Sequence, residues 1–239
     1  MMTDILAIGA HPDDVELGAG GTVLRHIQLG KKVVIVDLTA GELGTRGNAQ
    51  LREQEAAASA RILGVEERVN LGLKDGFFEN DEPSLLELVK VIRHYRPLIV
   101  LANAVNDRHP DHGNGASFAS RACFLAGLRK IETEYFGSAQ EPHRPNAVYH
   151  YIQDRFIHPD LVIDITDFYD KKMEAILAFS SQFYKDGEDK EPGTPISGED
   201  YLRFLEGRAR EMGRIIGSIF GEGYTTERAP GINSFSDLL

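Results

Sequence analysis

Two stretches of this 239-residue chain bring together residues that can do chemistry. One is Ala10-His11-Pro12-Asp13-Asp14-Val15-Glu16, directly after a short apolar run. The other is Asn106-Asp107-Arg108-His109-Pro110-Asp111-His112. Carboxylates collected at a buried strand end are costly unless something positive compensates them, and a divalent metal ion would do so. Taken alone, either His-Pro-Asp tripeptide equally fits a helix cap, with Asp13 or Asp111 accepting backbone N–H bonds. Two copies at neighbouring strand ends favour the metal. Cys123 is the only cysteine, so the ligands must be imidazole and carboxylate.

A catalytic zinc takes three such ligands and keeps one position open for water. His11, Asp14 and His112 supply that set. The side chains of the adjacent Asp13 and Asp14 diverge, so one can bind metal while the other faces the water. Asp13 is then the general base. His109, three residues before His112, is placed to stabilise an oxyanion or protonate a leaving amine, oriented by Asp111 or another acid. Iron(II), cobalt or manganese would suit the same ligands.

The elements that must position these residues alternate between strand and helix. Strands are expected at Asp4–Gly9, Val33–Leu38, Arg68–Leu71, Leu98–Ala102, Ala147–Ile152 and Leu161–Ile165. The near-continuous apolarity of Val33–Leu38 fits a parallel strand covered on both faces. Helices are expected at Gly20–Leu29, Ala49–Leu63, Leu85–Tyr95 (capped by Ser84), Asn114–Leu128, Asp167–Ser180 and Tyr201–Ile219. Asp186–Ser197 reads as a surface loop, and about 221–239 as an irregular tail that is a candidate oligomer contact. The expectation is one α/β domain over 1–239: a Rossmann-like, mostly parallel sheet with helices on both faces. Right-handed crossovers favour the order 3-2-1-4-5. That order puts strands 1 and 4 side by side, with the metal site at their carboxyl ends.

Bulk properties limit the function. With 42% hydrophobic residues, 26% charged residues and a formal net charge of −11, the chain reads as a globular protein poorly suited to nucleic acid or anionic membranes. The N-terminus lacks signal-peptide features and no stretch reaches membrane-span length, so a cytoplasmic location is expected. Gly18-Ala19-Gly20-Gly21 followed by Asp37 gives only a partial dinucleotide fingerprint. Val23 occupies the third glycine position, and the acidic motif would repel a pyrophosphate. These small residues are read instead as letting a helix pack close to the sheet. Cys123 falls on an apolar helix face and is read as core. Arg46 and Arg108 lie on loops at the strand ends and are candidate substrate contacts.

The paired motifs resemble those of the PIG-L/LmbE-type zinc-dependent N-acetylglucosaminyl deacetylases, from Asp4 to about Gly223. Asp13–Gly18, with Val15 after the second aspartate, Gly41–Gly47 and Pro230-Gly231 resemble the bacillithiol-biosynthesis branch. The resemblance implies hydrolysis of an N-acetylglucosaminide, foremost N-acetylglucosaminyl-malate, with a chitobiose-like or mycothiol-type substrate as the alternative. It implies His11, Asp14 and His112 as zinc ligands, Asp13 as base and His109 as the electrostatic or acid residue. Arg52 matches a substrate-contacting arginine, which would suit malate's carboxylates, and Tyr201 a tyrosine near the oxyanion. The resemblance also implies a homo-oligomer, commonly a hexamer. A metal- or nucleotide-binding module without catalysis is the reading from another class.

Overall fold

The computed structural model describes residues 2–183 and 191–235. In chain order the elements are β1 (Ile5–Gly9), α1 (Asp14–Gln28), β2 (Val33–Thr39), α2 (Ala49–Leu63), β3 (Glu67–Leu73), α3 (Glu82–Tyr95), β4 (Ile99–Ala102), α4 (Pro110–Ala126), β5 (Glu134–Tyr135), β6 (Ser138–Ala139), β7 (Ala147–Tyr151), β8 (Leu161–Asp164), α5 (Tyr169–Leu177), α6 (Glu199–Ile216) and β9 (Gly221–Thr226). The main sheet runs β3-β2-β1-β4-β7-β9-β8, and β5 and β6 form a separate hairpin. Pairing is parallel from β3 through β7. Strand β9 lies antiparallel between β7 and β8. No helix among the described residues is long and apolar enough to cross a membrane.

Successive side chains of a strand point to opposite faces, and here both faces are covered. Leu6 and Ile8 of β1 pack with Val34, Val36 and Leu38 of β2 against α3 and α4 (Leu88, Ile92, Phe118, Cys123). Ile5 and Ala7 pack on the other face with Val33 and Ile35 against α1 (Val15, Ala19, Val23). The expected doubly wound, mostly parallel sheet is present. Cys123 is core, and burial pushes its thiol up to about 12.

Four boundaries differ from expectation, and the first two affect the site. Helix α1 starts at Asp14, not Gly20, because Val15 extends its apolar stripe back to the motif. Asp14 and Glu16 therefore occupy its first turn, where the helix dipole favours acids. Helix α4 starts at Pro110, not Asn114, so His112 sits on a helix rather than a loop. Asp81, not Ser84, caps α3: its side chain accepts from Ser84 N. The tail expected to be irregular from about 221 instead begins with β9, a strand in the interior of the sheet. Its two glycines and Glu222 weaken the strand signal, and pairing on both edges holds it. Residues 186–190 of the expected loop and 236–239 of the tail lie outside the described residues.

The small residues of α1 do allow close packing. A Cβ on Gly18 would collide with the ring of Tyr151, and one on Gly21 would stand 2.7 Å from Ile165 Cβ. Glu16, fully buried, accepts from Arg68 Nη1 (2.6 Å) and Ser59 Oγ (2.6 Å) through Oε1, while Oε2 has no partner. Arg68 also grips Asp37 with Nε (2.7 Å) and Nη2 (2.8 Å), so the would-be ribose acid is taken up in a core ion pair. Removing the one cation from two buried carboxylates is severe. Arg68→Met is expected to lose about 3–5 kcal/mol of stability by urea denaturation.

Candidate active site

The parallel strands all end on one rim, and the loops leaving them converge there. His11, Asp13 and Asp14 follow β1, Gly41–Arg52 follow β2, Asp75 follows β3, Asn103–His112 follow β4 and Gln153 follows β7. From these segments His11, Asp13, Asp14, Leu43, Arg52, Asp75, Arg108, His109, His112 and Gln153 line a crevice of about 300 Å³, together with Thr194, Pro195, Ile196 and Tyr201. A larger groove of about 550 Å³, lined by Ala40, Ala49, Ala56 and the Asp37–Arg68 pair, lies to one side. Arg68 is already shared between Asp37 and Glu16, and no imidazole lines the groove.

The crevice brings together the three residues expected to bind metal. His112 Nε2 stands 3.1 Å from Asp14 Oδ1, and His11 Nδ1 stands 3.6 Å from Asp14 Oδ2. Ligand atoms on a tetrahedral ion with bonds of about 2.0–2.1 Å stand about 3.4 Å apart, so the spacing fits. His109 joins them: His11, His109 and His112 each offer a ring nitrogen within 4.8 Å of the others.

The far side of each of these side chains is held in place. His11 Nε2 faces Asp75 Oδ1 (3.0 Å) and Asp111 Oδ2 (3.3 Å), and His112 Nδ1 donates to Asp107 Oδ2 (2.6 Å). Both imidazoles thus turn the remaining nitrogen toward Asp14. Asp14 Oδ2 accepts from His11 N and Asn103 Nδ2 (both 2.9 Å), and Oδ1 from Gln153 Nε2 (3.0 Å). Burial works to lower the pKa of His11, but hydrogen bonds to Asp111, Asp14 and Asp75 raise it well above the usual histidine value. For His112, burial is overcome by the charge of Asp14 and the bond to Asp107, and its pKa rises to about 9. Burial would raise Asp14, yet the charge of His112 and the bond from His11 hold it well below the usual carboxylate range. The cluster is therefore built to retain positive charge, and a divalent ion would supply it in place of two protons. The donor set fits.

Asp13 occupies the N-cap position of α1, but its side chain makes no capping bond. Its φ of 122° is a strained value for a residue with a Cβ. Burial pushes its carboxyl up to about 6, against the pull of the Arg52 guanidinium. Arg52 Nη2 donates to Asp13 Oδ2 (2.6 Å), and Arg52 Nε and Nη2 donate to Pro12 O. That approach needs Gly41: at φ +64° its Cβ would lie 2.6 Å from Arg52 Nη1. Arg52, expected to contact substrate, does line the crevice, but bound to Asp13.

His109 caps α4, its Nδ1 accepting from Asp111 N (3.3 Å), so the network assigns the proton to Nε2. Burial and then the positive His11 and His112 lower its pKa, which keeps the ring neutral. Tyr201, on α6, lines the crevice, and burial followed by the charge of Asp13 raises its phenol, leaving it a donor.

Two expectations are corrected. Asp111 orients His11 rather than His109, because its carboxylate is taken up by His11 Nε2 and Gly76 N (2.9 Å). Arg46 does not line the crevice: its Nε donates to Ser181 O (2.8 Å), pinning a neighbouring loop. Arg108 does line it, paired through Nε with Asp154 Oδ2 (3.2 Å). The sequence reading missed Asp75, Asn103 and Gln153, which come from three separate strand ends and share no spacing signal. Asp107 lay inside the second motif without a role.

Residues 6–123 match the family described as PIG-L: GlcNAc-PI de-N-acetylase. Diacetylchitobiose deacetylase of Thermococcus kodakarensis is 31% identical over 229 residues, covering 92% of this chain and 81% of that protein. The chain belongs to the PIG-L family. As a member of that family it is an N-deacetylase. The probable N-acetyl-alpha-D-glucosaminyl L-malate deacetylase 2 of Bacillus anthracis is 27% identical, over 75% of this chain and 81% of that one. Among solved structures, the conserved protein TT1542 from Thermus thermophilus superposes with a TM-score of 0.85 at 34% identity, covering 97% of this chain and 98% of its own.

Partners that orient metal ligands typically carry 10–100-fold of metal affinity. Gln153→Leu and Asp107→Ala are each expected to weaken divalent-ion binding by about that factor, read by chelator competition.

Proposed function

We propose that this PIG-L member is a zinc-dependent hydrolase that removes the acetyl group from an N-acetylglucosaminide, with His11, Asp14 and His112 as the metal ligands. The observation that carries the proposal is the meeting of those three residues with Asp13 in one crevice. Zinc is favoured by the donor set of two imidazoles and a carboxylate. When bound, the ion supplies a Lewis acid for the acetyl carbonyl and for activating water.

Arg52 fixes Asp13 Oδ2, leaving Oδ1 to take the water's proton. As the water oxygen attacks the amide carbon, negative charge grows on the acetyl oxygen. The neutral His109 Nε2–H and the Tyr201 hydroxyl, both lining the crevice, are the proposed donors to it. Asp13 then passes its proton to the amine as the C–N bond breaks, releasing acetate and the free aminosugar. Burial and the pull of Arg52 balance so that Asp13 can both take and return a proton near neutral pH.

A neutral glycoside is the better supported substrate. Both crevice-lining arginines among the described residues are already paired, Arg52 with Asp13 and Arg108 with Asp154. The malate glycoside is the second reading. It is supported by the likeness to the Bacillus anthracis protein and by the half-exposed Arg108, whose surface pair is weak enough to yield to a substrate carboxylate.

Asp13→Asn is expected to lower kcat by about 10²–10⁴-fold with bound zinc unchanged, read by acetate release and elemental analysis. His112→Ala is expected to lose zinc as well. The base works deprotonated, so kcat/KM should rise with pH and flatten above the pKa of Asp13. That value is about 6 in the metal-free site, and a nearby cation lowers it. An acid limb at or below that pH, absent in Asp13→Asn, is the expected profile.

A further inference from the structure

Between β7 and β8 the chain runs over residues 152–160 without helix or strand, so its backbone polar groups need partners from elsewhere. Arg208 of α6 supplies them for three successive carbonyls. Its Nη2 donates to Asp154 O (3.0 Å), and its Nη1 to Gln153 O (3.1 Å) and Arg155 O (3.4 Å). The Arg208 side chain is 14% exposed, and the rings of Phe204 and Phe156 lie 5.3 and 5.6 Å from its guanidinium carbon. Nε meets the half-exposed Glu211 at 3.4 Å, a surface pair of little worth. The main engagement of Arg208 is the loop.

That loop orients two of the three proposed metal ligands. Gln153 Nε2 donates to Asp14 Oδ1 (3.0 Å). Arg155 N donates to Asp107 Oδ1 (2.7 Å), and the other Asp107 oxygen holds His112 Nδ1. Asp154 O and Arg155 N belong to one planar, trans peptide unit. It is gripped at both ends, by Arg208 on its oxygen and by Asp107 on its N–H. A charged donor on the oxygen makes a strong bond and polarises the N–H on the other side.

The same helix carries Tyr201. Tyr201, Phe204 and Arg208 stand three and four residues apart, which puts them on one helix face, and Tyr201 stacks on Phe204 at 5.6 Å. Arg208 itself does not line the crevice. We propose that Arg208 is a positioning residue for the metal centre, setting the directions of Asp14 and His112 through the 153–155 backbone. The proposal rests on His11, Asp14 and His112 being the ligand set. The forked guanidinium is essential to it, because a lysine ammonium is a single point charge.

The test compares wild type, Arg208→Lys, Arg208→Met, Gln153→Leu and the double variant Arg208→Met/Gln153→Leu. Zinc affinity is read by chelator competition, and ligand geometry by the visible absorption of the cobalt(II)-loaded proteins. Arg208→Met and Arg208→Lys should each weaken zinc about 10-fold and change the cobalt bands. If the methionine variant does not fold, the lysine variant, which keeps charge and stem, carries the test. The double variant should lose less than the product of the two single losses, because both changes act through Gln153. Wild-type affinity and spectrum in the Arg208 variants, or losses that multiply in the double variant, overturn the role of Arg208 alone. A wild type that binds neither zinc nor cobalt overturns the ligand set and the proposal with it.

Discussion

Buried negative charge is the constraint on which this structure turns. Asp13, Asp14, Asp75, Asp107 and Asp111 are all buried around one crevice, and uncompensated carboxylates there would cost several kcal/mol each. Each has a fixed partner: Arg52 for Asp13, His11 and His112 for Asp14, His11 for Asp75 and Asp111, and His112 for Asp107. The same contacts that offset the charge also fix the direction of every imidazole. Stability and pre-organisation come from one set of bonds, and a bound cation would complete it.

The parallel sheet makes this concentration of groups possible. Its strands deliver their following loops to one rim, so residues from five strand ends meet without long excursions of chain. Helix α1 brings Asp13 and Asp14 in at its first turn, and its small residues let it lie against Tyr151 and Ile165. The strained backbone at Asp13 sits where that helix meets the motif. Strain at such a position persists only when the surroundings over-determine it. Here Arg52 bonds both the preceding carbonyl and the carboxylate itself.

Chemistry and selectivity draw on different parts of the chain. The groups proposed to bind metal and move protons sit at strand ends and helix starts, braced by buried hydrogen bonds. Leu43 and Arg108, which line the mouth from loops, are half-exposed or more.

The two motifs, the alternation of strand and helix, and the parallel core were legible before any coordinates. These are local: ligand types, apolar runs and glycine stops can be read within a few residues. The meeting of His11, Asp14 and His112 was legible because strand order puts the two motifs at the ends of adjacent strands. Their partners became visible only in the folded chain. Asn103 and Gln153 are ordinary amides until β4 and β7 bring both to Asp14. Asp111 turned from His109 to His11 because α4 starts at Pro110 and gives His109 the cap. Arg46 left the crevice for the Ser181 carbonyl, while Arg52 reached Asp13 across the space that Gly41 leaves. Strand β9 formed from a segment with little strand character because both its edges found partners. Which carboxylate meets which cation depends on distances between segments remote in sequence, and burial makes those distances decisive.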